Sequence, residues 1–221
     1  TFSFYVFIQN LDKLKFTPRV YENVFWFFSY VIIVIIVTYL IIPANFFDTV
    51  FHVISAITTT GFSYVDLNNY EEYVYLFFIV MSVGGCLEST AGGIRIDRIV
   101  ILMKGISLRI KQFINPKNAV TVEKFCNQIL NDEIISYSGL ILFSYILLAI
   151  ILASMINYEV GDFKKSFFTI ISSLSNVGLE LGIVRELSTF SKILILLSMF
   201  IGRLEIVIPL AFIPALLKLK K

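Results

Sequence analysis

Ser55-Ala56-Ile57-Thr58-Thr59-Thr60-Gly61-Phe62 is the stretch whose reading decides the fold. It is small-residued and β-branched, and it lies between two segments long and apolar enough to cross a bilayer. A second stretch, Ser172-Ser173-Leu174-Ser175-Asn176-Val177-Gly178-Leu179, occupies an equivalent place further on. Ser55 and Ser172 are 117 residues apart, as are Gly61 and Gly178, Phe51 and Phe168, and Gly85 and Gly202. Matched letters are sparse, so the repeat rests on spacing and hydropathy. We read both stretches as re-entrant loops that the rest of the chain holds in a membrane.

The composition supports this. Hydrophobic residues make up 57% of the 221, and mean hydropathy is +0.85. Whole windows of about 20 residues are apolar, as a hydrocarbon core about 30 Å thick requires. The 22 Phe and 11 Tyr suit lipid-facing and interfacial positions. A net charge of +2 offers no argument for nucleic acid. Cys86 and Cys126 form neither a disulfide framework nor a metal-ligand spacing. The chain opens at Thr1 with no basic n-region, so no signal peptide is expected, and it reads as a piece of a longer protein.

Along the chain, residues 1–19 read as a semi-amphipathic segment at the membrane surface. Residues 23–42 form an uncharged span with Trp26 and Tyr39 near its ends, closed by Pro43. Asp48 is read as the N-cap of a helix of about 10 residues, too short to span. Residues 73–83 are apolar again, and then Gly84-Gly85 through Gly92-Gly93 interrupts them. Glycines and hydroxyls at bilayer depth hold a helix poorly, so this is a broken span. Residues 104–131 form the only long polar connection, with Asn115-Pro116 as a breaker. Asn131 or Asp132 caps a span of about 134–156, Gly161-Asp162 starts a second short helix of about 163–174, and a last span runs from about Ser188 to Leu217. The expected fold class is an all-α integral membrane protein. It holds two parallel span–pore helix–span repeats with re-entrant loops, at residues 1–112 and 113–221, and the second span of the first repeat is broken.

Of the 18 Lys and Arg, eleven fall in the N-terminal segment, the 104–131 connection and the C-terminal tail. Four fall on the loop side and three (Arg95, Arg98, Arg203) within spans. The positive-inside rule then places both termini in the cytoplasm and both loops outside, in a cell or inner membrane. Asp48, Asp66, Glu71, Glu72, Glu159, Asp162, Glu180 and Glu186 flank the loops. They either focus cations at an outer mouth or simply solvate a surface.

Such loops suit a dehydrated cation, which needs oxygens in place of its hydration shell. Gly61 and Gly178 allow dihedrals that turn successive carbonyls toward one axis. The expected filter is Thr59, Thr60, Gly61, Asn176, Val177 and Gly178, with the ion held by carbonyls of Thr60, Gly61, Val177 and Gly178. Thr58 to Thr60 and Ser175-Asn176 add hydroxyl and amide oxygens. Each short helix aims its partly negative C-terminal end at the cavity.

These residues resemble the Trk/Ktr/HKT superfamily of potassium transporters. Thr58-Thr59-Thr60-Gly61-Phe62 resembles the family's third pore loop. Gly84-Gly85 through Ser89-Thr90-Ala91-Gly92-Gly93-Ile94-Arg95 resembles its broken-helix motif, and Ser175-Asn176-Val177-Gly178 with Leu181-Gly182 its fourth pore loop. Gly202-Arg203-Leu204-Glu205-Ile206 resembles the GRLEI motif of its last helix. The resemblance implies the third and fourth of four repeats around one pore. It implies potassium as the transported ion with no cofactor, and no enzymatic activity. It further implies a homodimer in lipid, with a cytosolic nucleotide-binding regulatory subunit. It makes 84–93 an intramembrane gate below the filter, with Gly84, Gly85, Glu88, Gly92 and Gly93 working against Arg203. Completing the filter requires the first two repeats or a second copy. Both filter positions are Gly rather than the Ser of some sodium-passing relatives, which favours potassium.

This chain departs from the pattern at Glu88, where the family usually has Gly. A carboxylate at that depth needs a partner or water. Glu88 either pairs with Arg203, latching the loop, or faces cavity water as a cation site. His52 reads as packed or interfacial, Arg95 and Arg98 as reaching the cytoplasmic interface, and Cys86 as a small buried residue. Two other readings stand beside the channel-like pore: a coupled sodium/potassium symporter, whose repeats can be inverted rather than parallel, and a non-conducting fragment.

Overall fold

The structure, a computed structural model, describes residues 18–42, 45–65, 74–85, 91–115, 122–126 and 128–204. The elements run α1 (Pro18–Ile41), α2 (Phe46–Ile57), α3 (Val74–Val83), α4 (Ile96–Ile114), β1 (Lys124–Phe125), β2 (Gln128–Ile129), α5 (Asp132–Val160), α6 (Phe163–Leu174) and α7 (Thr189–Arg203). Pro43, Asp66, Glu71, Glu72, Cys86, Glu88, Pro116, Glu205 and the terminal segments singled out above lie outside the described residues.

Among the described residues, two helices are long and apolar enough to cross a membrane, Glu22–Ile41 and Asp132–Val160. Phe25, Phe28, Ile32, Ile33 and Ile36 of α1 are exposed, as are Leu140, Phe143, Leu147 and Ile150 of α5. Apolar faces of this extent call for lipid tails rather than water.

The short helices α2 and α6 are each 12 residues long. Their first residues, Phe46 and Phe163, and their last, Ile57 and Leu174, stand 117 apart. α6 is the hub: α3, α5 and α7 all pack against it. Phe168, Ile170 and Leu174 are fully buried there. Its start is well specified. Gly161 takes a left-handed φ of 72° that closes α5. Asp162 then caps α6, accepting the N–H groups of Lys164 at 3.0 Å and Lys165 at 3.3 Å.

The reading of Asp48 as a cap is corrected. α2 starts at Phe46 with Asn45 in the N-cap position, and Asp48 lies in the first turn. The Tyr64 hydroxyl donates to its carboxylate instead.

The break is real. α3 stops at Val83 and α4 starts at Ile96. Ile94 N–H donates to Ser82 O at 2.8 Å, and Ile96 N–H to Gly85 O at 3.1 Å. A Cβ on Gly84 would sit 2.2 Å from Gly92 O, so glycine permits the two ends of the break to touch. Arg98 does not reach an interface. It is buried, and its guanidinium donates to Ile94 O at 3.4 Å.

The connection after the break is more ordered than a polar loop. α4 continues to Ile114, and the antiparallel β1–β2 ribbon follows, pairing Lys124 with Ile129 and Phe125 with Gln128. This ribbon is the departure from an all-α chain. Phe125, Cys126 and Leu130 pack it onto Val83, Ile96 and Val100. Glu22 on α1 accepts from Lys104 Nζ at 2.6 Å and from Cys126 N–H at 2.7 Å. Three apolar side chains spaced through a polar stretch drive this docking, and one carboxylate anchors it.

Candidate ion filter and the broken helix beside it

The two loops leave their helices by the same backbone path. In the first, N–H groups of Thr58, Thr59 and Thr60 donate to the carbonyls of Ile54 (2.9 Å), Ala56 (3.3 Å) and Ser55 (3.0 Å). In the second, Ser175, Asn176 and Val177 donate to Ile171 (2.9 Å), Ser173 (3.0 Å) and Ser172 (2.9 Å). Each pair of residues is 117 apart. Dihedrals agree as well: φ is 54° at Thr59 and 56° at Asn176, then 77° at Gly61 and 90° at Gly178. In each loop two left-handed residues stand with one residue between them, so both loops leave their helices by the same turn.

The serine that opens each stretch stabilises its loop from within. Ser55 Oγ donates to Phe62 O at 2.7 Å. Ser172 Oγ accepts from Gly178 N–H at 3.1 Å.

The loops also meet. A Cβ on Gly61 would lie 1.9 Å from Val177 O, whereas one on Gly178 would meet nothing within 4 Å. Gly61 and Val177 are therefore in backbone contact, and Gly178 borders open space.

The side-chain oxygens expected to join the carbonyls are engaged elsewhere. Thr58 Oγ1 donates to Ile54 O and pairs with Thr60 Oγ1, both at 2.7 Å. Ser175 is fully buried, with its Oγ 2.7 Å from the Tyr145 hydroxyl. The Asn176 amide turns to α7. Oriented to satisfy both groups, its nitrogen donates to Met199 O at 3.3 Å and its oxygen accepts from Arg203 N–H at 3.2 Å. The hydroxyls of Thr58, Thr60 and Ser175 and the amide of Asn176 thus have protein partners, while the Val177 carbonyl lies at the contact between the two loops, against Gly61.

Residues expected to form the gate gather against the second loop. A Cβ on Gly92 would fall 2.4 Å from Ser175 O, and one on Gly202 would fall 2.0 Å from Leu174 O. The break and the end of α7, with Arg203 next to Gly202, thus press on one turn. Glu88 lies outside the described residues, so its pairing stays an expectation. Gly85 is buried, and Gly93 would crowd Ser82 O at 2.7 Å if it carried a Cβ.

Two of the acids flanking the loops serve helix ends. Asp162 has been described, and Asp48 receives the Tyr64 hydroxyl instead. Glu159 accepts from Ser188 Oγ at 2.8 Å and Ser191 Oγ at 2.6 Å, tying the end of α5 to the start of α7. Glu180 and Glu186 are exposed. His52 is buried against Phe51 and Tyr64, its Nδ1 2.7 Å from Asp48 O, as a packed residue would be.

Tyr145 and Ser198 were not picked out from sequence. Ser173 Oγ and Ser198 Oγ are buried and 2.6 Å apart, joining α6 to α7. The available signal was an isolated polar residue inside an apolar span.

Residues 46–217 match the TrkH family of cation transport proteins. The chain belongs to this family. An uncharacterized cation transporter of Methanocaldococcus jannaschii is 34% identical over 165 residues, 72% of this chain and 34% of that protein. The Trk system potassium uptake protein TrkH of Escherichia coli is 29% identical over 162 residues, 71% of this chain and 33% of that protein. The fold resembles the crystal structure of the potassium transporter TrkH from Vibrio parahaemolyticus, with a TM-score of 0.73 and 22% identity over 88% of this chain and 44% of that one. The chain spans about a third of the length of the curated relatives it matches. TrkH-family proteins are transporters rather than enzymes, and membership gives this chain a membrane location.

Proposed function

We propose that this chain supplies two of the filter loops of a potassium-uptake pore, with Thr59, Thr60, Gly61, Asn176, Val177 and Gly178 forming them. The observation carrying the reading is the residue-by-residue equivalence of the loops at a spacing of 117, including the left-handed glycines. Ions are held by carbonyls of Thr60, Gly61, Val177 and Gly178. The repeats, 1–112 and 113–221, are parallel, with loops outside and termini in the cytoplasm. The break at 84–93 gates the path below the filter against Arg203.

The conducting unit includes more than this chain. A groove of about 450 Å3 on the outer side of α2 is lined by Phe47, Phe51, Ile54, Thr58, Thr60 and Phe62. It is the face on which further filter loops would pack. A homodimer with a cytosolic nucleotide-binding regulator completes the assembly. The test is rescue of potassium-uptake-deficient cells by the full-length protein. Rescue that persists after Gly61→Pro and Gly178→Pro would overturn the reading.

A further inference from the structure

We propose that Asn176 is a positioning residue that sets the filter loop at Gly178 by gripping the backbone of α7, so that ion selectivity depends on α7. This rests on the reading of 175–179 as part of a potassium filter.

The argument starts from the bonds Asn176 makes. Its amide bridges Met199 O and Arg203 N–H, the two groups that an α-helix ordinarily pairs with each other. By bridging these two groups, the side chain makes the loop and the helix one hydrogen-bonded unit. Two close approaches bring the amide this near to the helix. Cβ atoms on Gly92 or Gly202 would each lie 3.1 Å from an Asn176 amide atom. Any larger residue at either position would crowd the amide and collide with the backbone of the same turn. The backbone demands the same residue type: φ at Asn176 is 56°, a region that Asn adopts several-fold more readily than most residues.

The neighbouring bonds confine the turn from other sides. Ser175 is held by Tyr145 of α5, and Ser173 by Ser198 of α7. Two residues beyond Asn176 stands Gly178, whose N–H is held by Ser172 Oγ at 3.1 Å and whose Cβ side faces open space. A shift of α7 at Met199–Arg203 is therefore carried by Asn176 to the carbonyls of Val177 and Gly178. The equivalent residue in the first loop, Thr59, has no amide with which to do this.

The experiment compares full-length wild type with Asn176→Gly, Asn176→Asp and Tyr145→Phe, measuring potassium and sodium uptake and the amount of folded protein in the membrane. Asn176→Gly keeps the left-handed backbone and loses both bonds to α7. It is expected to transport with potassium-over-sodium preference lowered about tenfold, the scale of losing two modest hydrogen bonds. Asn176→Asp keeps the acceptor for Arg203 N–H and is expected to fall between. Tyr145→Phe loosens the same turn from the α5 side and is expected to keep the wild-type preference. Wild-type preference in whichever Asn176 variant folds overturns the proposal. An equal loss in Tyr145→Phe also overturns it, because the effect would then be general loosening. A wild-type protein that moves no potassium overturns the filter reading, and this inference with it.

Discussion

At the scale of single residues, the loops are governed by backbone constraints that side-chain type reveals only in part. Gly61 and Gly178 share a left-handed φ but not a neighbourhood. A Cβ on Gly61 collides with Val177 O, while one on Gly178 meets nothing. Gly61→Ala in the full-length protein is expected to cost about 3 kcal/mol or more, strain and overpacking together. Gly178→Ala is expected to cost about 1–2 kcal/mol, from the dihedral alone. Thermal midpoints of detergent-extracted protein would show this difference; equal losses would contradict the contact between the loops. Thr59 is the opposite case, a β-branched residue held at φ 54°. Thr59→Asn places there the residue found at the equivalent position of the second loop. It is expected to raise stability by about 1 kcal/mol, and a lowered midpoint would argue against the strain.

Among the elements, the ribbon and α1 make the clearest unforeseen pair. Glu22 holds Lys104 of α4 and the turn at Cys126 at once. Arg109 adds a bond to Asp132 at 2.7 Å, and Lys111 pairs with Glu123. Exposed ion pairs contribute little, so the Glu22 contact, with its buried apolar neighbours, matters most. Cys126 is buried beside it, its Sγ donating to Asn23 Oδ1 at 3.3 Å. In a Cys86→Ser background of the full-length protein, Glu22→Gln is expected to speed maleimide labelling of Cys126 several-fold as the ribbon lifts. An unchanged rate would mean that apolar packing alone seats the ribbon.

For the whole molecule, orientation is the property most open to test. Tyr158, near the end of α5, is 95% exposed, and Phe113, near the end of α4, is 92% exposed. Neither side chain is needed for packing. The positive-inside reading puts them on opposite sides of the membrane. In a full-length protein lacking native cysteines, Tyr158→Cys is expected to react with an impermeant maleimide in intact cells. Phe113→Cys is expected to react only after permeabilisation. The reverse pattern would invert the topology and place the loops in the cytoplasm.

Residue order alone determined the membrane class, the spans, the two short helices and the break, because each depends on local quantities. Apolar length, glycine content and a spacing of 117 need no tertiary partner to be read, and the dihedrals at Gly61 and Gly178 follow from what only glycine tolerates. The family motifs were legible for the same reason. The destinations of polar side chains were not. Ser175 and Asn176 looked like further side-chain oxygens for an ion, and instead their side chains bond Tyr145 of α5 and the backbone of α7. Asp48 looked like a cap and instead receives Tyr64. Arg98 looked interfacial and is buried. Each outcome depends on which partner the folded chain brings within about 3 Å, a distance set by helix packing far along the sequence. The 104–131 segment belongs with them, since Glu22 stands 104 residues from the turn it anchors. The stretch from Ser55 to Phe62 is marked by its composition alone, and only the packing around its counterpart reveals what holds such a loop in position.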